Sequence, residues 1–353
     1  MSPIEPISPS LSCPVPLKNA QQILLAHGGG GTLTNALVRD LFAPAFNNEM
    51  LDDLMDGAVF KQNGSRLAFS TDAYVVNPVI FPGGTIGDLA VNGTVNDLAM
   101  CGARPLHLSA AFILEEGFSI ETLRLIVSSM SKAAAAAGIS IVTGDTKVVE
   151  RGKGDGVYVT TAGIGIIEDW MEIRPDNAAV GDVVIVSGPI GAHGIAVLSV
   201  REGLEFSTTI RSDTAPLYDL VRTMVRATRE VYVLRDPTRG GIATALNEIA
   251  KSSSVNILLN EESIPIPPEV NAACEILGLD PLYVANEGVL LAFVPGREAD
   301  AVLAAMHAHP LGRQAAVIGR VTDRPPGVVA MKTRVGGTRI VDMLSGEQLP
   351  RIC

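Results

Sequence analysis

Three aspartates, a lysine and a thiol at the last position are the residues of this 353-residue sequence best suited to chemistry. Asp72 follows the alternating stretch SRLAFSTDAYVV, Asp97 lies in TIGDLAVNGTVNDLAMCG, and Asp145 ends ISIVTGD. Asp88, Asn92 and Asn96 recur every fourth residue, which lays a polar stripe beside Asp97 on a helix. Mg²⁺ takes oxygen ligands and is commonly held by a few carboxylates plus substrate phosphates. The competing reading of the stripe is a solvated helix face. Lys147, two residues past Asp145, is one of seven lysines against 20 arginines. A compact positive charge there can steady a transferring phosphoryl group, or it is a lysine on a surface turn.

Glycines 28 to 31 (Gly28, Gly29, Gly30, Gly31) run into a helical pattern starting at Thr32 or Thr34. No GK[ST] follows, and Leu33 stands where G-x-G-x-x-G needs its third glycine, so both standard nucleotide motifs fail. What remains is a loop that offers backbone N–H groups to phosphate, or a plain linker. Glu287 in VANEGVL adjoins an apolar run, and burial there raises a carboxyl group toward general-base range. His193 in IGAHG is the second proton-transfer candidate. LRDPTRGG sets Asp236 and Arg239 beside a glycine turn, and His307 with His309 lacks a third metal ligand nearby. Cys353 is the most conspicuous residue: a free thiol on an exposed tail oxidises and cross-links unless it is used.

These groups need a frame. SRLAFSTDAYVV alternates as a strand does, and the stretch from Thr85 to Gly102 reads as a helix. Gly93 inside that helix costs about 1 kcal/mol relative to alanine, so something besides propensity holds it. Ser119 caps a helix ending at Gly138, with Ile120, Leu123, Val127, Met130 and Ala134 as its apolar stripe. A buried strand is expected to deliver Asp145 at its carboxyl end. A boundary is expected around Arg174–Gly181. Beyond it, DVVIV, NILL, GVLLAFV, AAVIGRV and RIVDML read as strands, with helices over GGIATALNEIAKS and READAVLAAMHA. The expected organisation is a leader at 1–22, an N-terminal domain at 23–172, an α/β domain at 173–340 and a mobile tail at 341–353.

Composition narrows the class. Apolar residues make up 47% and aromatic residues only 4%, so the core is aliphatic. The formal charge of −11 and the absence of a basic run disfavour nucleic acid and anionic membranes as partners. Cys13, Cys101, Cys274 and Cys353 share no short spacing, which suits a reducing cytoplasm, and Cys101 reads as a packing residue. The proline- and serine-rich start lacks a signal-peptide pattern, and no apolar run approaches the roughly 20 residues of a membrane span.

Taken in order, LAHGGGG, LAFSTDAYVV, FPGGTIGDLAVNGTVNDLAMCGARP, FILEEG, IVTGDTKVV, DPTRGG, VANEG and PRIC resemble the HypE family of hydrogenase maturation factors. That family lies within the aminoimidazole ribonucleotide synthetase (PurM-like) superfamily. The likeness spans residues 23 to 353, and PRIC sets the family apart from its superfamily. It implies a two-domain α/β fold of mixed sheets whose N-terminal domains dimerise through a shared barrel, with ATP in a cleft of that assembly. It implies that a HypF-type carbamoyltransferase loads a carbamoyl group on Cys353. ATP-dependent dehydration then makes a thiocyanate, and cyanide passes to iron in a HypC–HypD complex, for [NiFe] hydrogenase. By the same resemblance Asp72, Asp97 and Asp145 hold Mg²⁺–ATP with Asn96 beside them. Lys147 stabilises the phosphoryl group, the four glycines cover the phosphates, and Glu287 or His193 is the base. Two alternatives stay open: a kinase or ligase of the superfamily acting on a free small molecule, and a nucleotide-gated thiol carrier that breaks no bond.

Overall fold

The structure is a computed structural model that describes residues 22–51, 55–203 and 210–345. The expected leader up to residue 21, Cys13, and the tail beyond residue 345 with Cys353 lie outside the described residues. Two sheets organise the chain. The first has strands β1 (Ala58–Gln62), β2 (Ser65–Tyr74), β5 (Ala103–Glu115), β6 (Ser140–Val149) and β7 (Val157–Ile167), in the order β1-β2-β7-β5-β6. Only β5 and β6 run parallel. Two short strands, β3 (Ile80–Phe81) and β4 (Gly84–Thr85), form a separate hairpin. Ahead of the sheet, α1 (Thr32–Leu37) runs through a π turn at Val38–Phe42 into α2 (Ala43–Phe46).

Helix α3 (Ile86–Met100) starts at Thr85, whose side chain accepts from the amides of Gly87 and Asp88, the usual satisfaction of a helix start. Nearly every residue of α3 is buried. Gly93 is where Tyr74 crosses: a Cβ there would stand 2.2 Å from the tyrosine Oη. Close approach, not propensity, fixes that glycine.

Helix α4 (Ile120–Ala136) is capped by Ser119 as expected, but its buried face differs from the expected stripe. Ile126, Met130, Ala133 and Ala134 are covered, while Ile120 is 66% exposed and Val127 also faces solvent. Periodicity located the helix, and its packing against α3 selected the face.

The second sheet contains β8 (Asp182–Val186), β9 (Val233–Arg235), β10 (Asn256–Asn260), β11 (Leu291–Pro295), β12 (Ala316–Thr322), β13 (Val328–Lys332) and β14 (Thr338–Ile340), ordered β14-β13-β10-β12-β8-β11-β9. Its helices are α5 (Ala192–Arg201), α6 (Tyr218–Ala227), α7 (Gly241–Ser252), α8 (Pro268–Leu277) and α9 (Ala299–His307). One sheet face packs on Ile242, Leu246 and Ile249 of α7. The other packs on α6 and α9 and merges with Leu98, Met100 and Cys101 at the end of α3. A common core therefore joins the two units. Among the described residues no helix is long and apolar enough to cross a membrane.

Candidate functional site

Where the two units meet, a cavity of about 490 Å³ opens between β2, α3, the β9–α7 turn and the glycine loop. That volume lies within the range of small-molecule sites. Its floor is acidic. Asp56, Asp97 and Asp236 bring their carboxylate oxygens within 4.8 Å of one another. Each comes from a different segment: the turn before β1, the last turn of α3, and the loop after β9. Ser70 Oγ donates to Asp97 Oδ2 at 2.7 Å. Arg235 binds Asp56 at 2.7 Å and Glu248 at 2.8 Å.

So much negative charge in a buried place is costly, and the acidities reflect it. Burial, then the charge of Asp236, pushes the Asp97 carboxyl well above the ordinary range. Burial and the Asp56 charge raise Asp236 to about 7. Burial raises Asp56, and the Arg235 guanidinium opposes that rise. Three clustered carboxylates are the oxygen donor set a hard divalent cation takes. The residues present therefore fit Mg²⁺.

Asp72 lies on the cavity wall near Arg239, 3.8 Å away. Glu287 also lines the cavity and is 5% exposed; burial, then the charges of Asp236 and Asp213, raises its pKa well above normal. Its own amide and that of Gly288 donate to Asp213, at distances from 3.1 to 3.3 Å.

Asp145 and Lys147 are elsewhere. Cross-strand register puts Asp72 in a row with Thr161, Ala110 and Gly144, and Thr161 donates to Ala90 of α3, so that row faces the helices. Asp145 belongs to the neighbouring row, with Ala111, Thr160 and Ala73, and so projects from the opposite face. Three strand spacings, about 14 Å, also separate the two strands. β6 is an exposed edge strand, not a buried one, and Asp145 sits mid-strand. There it pairs with Lys147 at 2.9 Å, and this hydrogen bond holds its carboxyl low. A single chain does not bring Asp145 or Lys147 to Asp72 and Asp97.

Three further expectations change. Asn96 lies outside the cavity lining: its amide donates to the carbonyls of Ala215 and Glu287 and accepts from Leu217 N, joining α3 to the second unit. His193 is fully buried, outside the cavity lining, with Nδ1 on Ser212 Oγ and its ring edge-on to Phe81. Burial holds its pKa down to about 3, so the imidazole is neutral. Of the four glycines only Gly30 lines the cavity; a Cβ on Gly28 would meet nothing within 4 Å. Asp56 was missed altogether, although its Asp-Gly pair marks a turn before a strand. Asp236 was visible beside a glycine turn without an assigned role.

Comparison with known proteins supplies the decisive observation. Residues 54–167 match the family described as AIR synthase related protein, N-terminal domain, and residues 179–332 match its C-terminal domain. The carbamoyl dehydratase HypE of Cupriavidus necator is 54% identical over 341 residues, covering 96% of this chain and 97% of that protein. The chain belongs to the HypE family. The Escherichia coli carbamoyl dehydratase HypE is 46% identical over 336 residues, covering 94% of this chain and 99% of that protein. A crystal structure of HypE in complex with ATP superposes with a TM-score of 0.79 at 47% identity, covering 94% of this chain and all of that one. A HypE–HypF complex matches with a TM-score of 0.83 at 46% identity, covering 88% of this chain and all of the matched chain.

Proposed function

We propose that this HypE-family chain is an ATP-dependent carbamoyl dehydratase working on its own Cys353, in hydrogenase maturation. The observation that carries the reading is the buried acidic cavity between the two units, in a fold shared with a HypE that binds ATP. The carbamoyl group arrives from a HypF-type carbamoyltransferase as a thiocarboxamide on Cys353. Its oxygen attacks the γ-phosphorus of ATP, ADP departs, and one nitrogen proton is lost. Glu287 removes the second nitrogen proton as the carbon–oxygen bond breaks, releasing phosphate and leaving S–C≡N. Amide oxygen is a poor leaving group, and phosphorylation makes it a good one. The raised pKa of Glu287 makes its carboxylate a stronger proton acceptor.

Asp56, Asp97 and Asp236 would hold Mg²⁺, with Asp72 beside them, and the ion would neutralise phosphate charge when bound. Gly30 and Arg239 form the adjoining wall. The outer face of the first sheet exposes Phe69 and Ile113, and β6 is an unpaired edge, which supports a homodimer closed through these sheets. In that assembly Asp145 and Lys147 serve the partner's cavity, Lys147 as the phosphoryl stabiliser. The cyanide recipient is a HypC–HypD complex, and the compartment is the cytoplasm.

ATP consumption that needs the thiol tests this. With a competent carbamoyl donor, Cys353→Ser should still bind ATP but consume none. Consumption at the wild-type rate would instead favour a superfamily kinase acting on a free small molecule.

A further inference from the structure

The glycine loop touches two things at once. Gly30, at φ +75°, lies against Arg239, where a Cβ would stand 2.7 Å from the arginine Cβ. Gly31, its neighbour, lies against the other end of the chain, where a Cβ would stand 2.3 Å from Leu344 O. The Thr32 amide donates to that same carbonyl at 3.0 Å. The segment leading to Leu344 is stitched down residue by residue. Asn247 Nδ2 donates to Val341 O at 2.8 Å, Tyr283 Oη to Asp342 O at 2.9 Å, and Asn35 Nδ2 contacts Met343 Sδ at 3.7 Å. Asn35 also donates to Glu248, which grips Arg235 and through it Asp56.

Resting on the dehydratase reading above, we propose that Gly31 and the Thr32 amide form a clasp for the root of the Cys353 arm. The clasp positions the arm at the rim of the nucleotide cavity. The loop is one residue thick between cavity and arm: Gly30 faces Arg239 on one side, and Gly31 faces Leu344 on the other. A ligand that engages Arg239 or Asp72 bears on the same loop that holds the arm. From Leu344, nine residues reach at most about 30 Å, ample for a cavity whose wall includes Gly30 and Asn35. Fixing the root shortens the arm's search for one productive geometry. Gly31 and Thr32 are thus positioning residues and touch no reacting atom.

The structure supplies its own controls. Gly31→Ala puts a methyl group where Leu344 O now sits. Thr32→Pro deletes the donor amide at the first position of α1, where proline suits a helix. Gly28→Ala fills open space, and Thr32→Ala keeps the amide.

The test uses full-length chain with Cys13→Ser, loaded at Cys353 by a carbamoyltransferase with carbamoyl phosphate. Single-turnover dehydration is read by mass spectrometry, and ATP affinity by titration. Gly31→Ala and Thr32→Pro should dehydrate at least about tenfold more slowly, with ATP affinity and loading within about twofold of wild type. Gly28→Ala and Thr32→Ala should match wild type. Wild-type rates in both clasp variants would overturn the proposal, as would an equal loss in Thr32→Ala. A second readout is Cys353 alkylation in unloaded protein. ATP should slow it in wild type and Thr32→Ala but not in Gly31→Ala or Thr32→Pro. If wild type loads yet never dehydrates, the dehydratase reading fails. The alkylation comparison still decides the clasp, and equal slowing in all variants would sink it.

Discussion

Aspartates of opposite character lie on the two sides of the first sheet. On the helix side, Asp97 gathers with Asp56 and Asp236 in a buried cluster whose protons are held tightly. On the outer side, Asp145 pairs with Lys147 in solvent on the edge strand β6, and its carboxyl is held low. The first set crowds negative charge into a buried cavity. The second is already neutralised by its own lysine, away from the cavity. The contrast teaches that residues in one motif set need not share one site: part of this set gathers at the cavity, and part lies on the far face of the sheet.

The harshest way to break the comparison is to disarm the buried face. Asp97→Asn should weaken Mg²⁺-dependent ATP binding by about 10- to 100-fold, measured by titration with and without Mg²⁺. Asp145→Ala should leave most of the binding and lose turnover. Equal effects on binding would erase the distinction between the faces.

Mixing sharpens it further. If β6 serves the partner's cavity, an Asp97→Asn chain and a Lys147→Ala chain, each inactive alone, should recover about one quarter of wild-type turnover when co-assembled. Half the dimers are then mixed, with one intact site of two. No recovery would place Lys147 outside the partner's site.

A stability measurement concerns Asp213, the acceptor beneath Glu287. Burial raises its pKa to about 6 from an ordinary 3.8. A raised carboxyl in the folded state carries no penalty below pH 4. The penalty grows as pH rises toward 6 and then levels, reaching at most about 3 kcal/mol. The stability of Asp213→Asn relative to wild type should therefore improve between pH 4 and pH 7 by up to that amount, whatever its pH-independent cost. Denaturant titrations across that range check it, and a flat difference would contradict the assignment.

Much of the frame was legible in the sequence because local rules agree with the fold. Ser119 caps the helix it was expected to cap, the helix expected from Thr85 starts there, and packing against Tyr74, not propensity, holds Gly93. The site was legible only in part. Strand alternation says that Asp72 and Asp145 each project from a sheet, yet which face each takes depends on register across four strands. Asp56, Asp97 and Asp236 meet through tertiary contacts among segments well separated in sequence, and no spacing rule encodes such a meeting. Asn96 and His193 look like functional residues in their motifs because they are polar. The hydrogen bonds of Asn96 to Ala215 and Leu217 tie α3 to the second unit, and that of His193 to Ser212 lies within the second unit.

A mass spectrum of the C-terminal peptide tests the central claim most directly. With a carbamoyltransferase, carbamoyl phosphate and ATP, the peptide bearing Cys353 should gain one carbamoyl group and then lose one water. The second step should fail in Glu287→Gln while the first proceeds. A peptide that stays unmodified beside a competent donor, or that keeps its carbamoyl group in the presence of Mg²⁺ and ATP, would contradict the account.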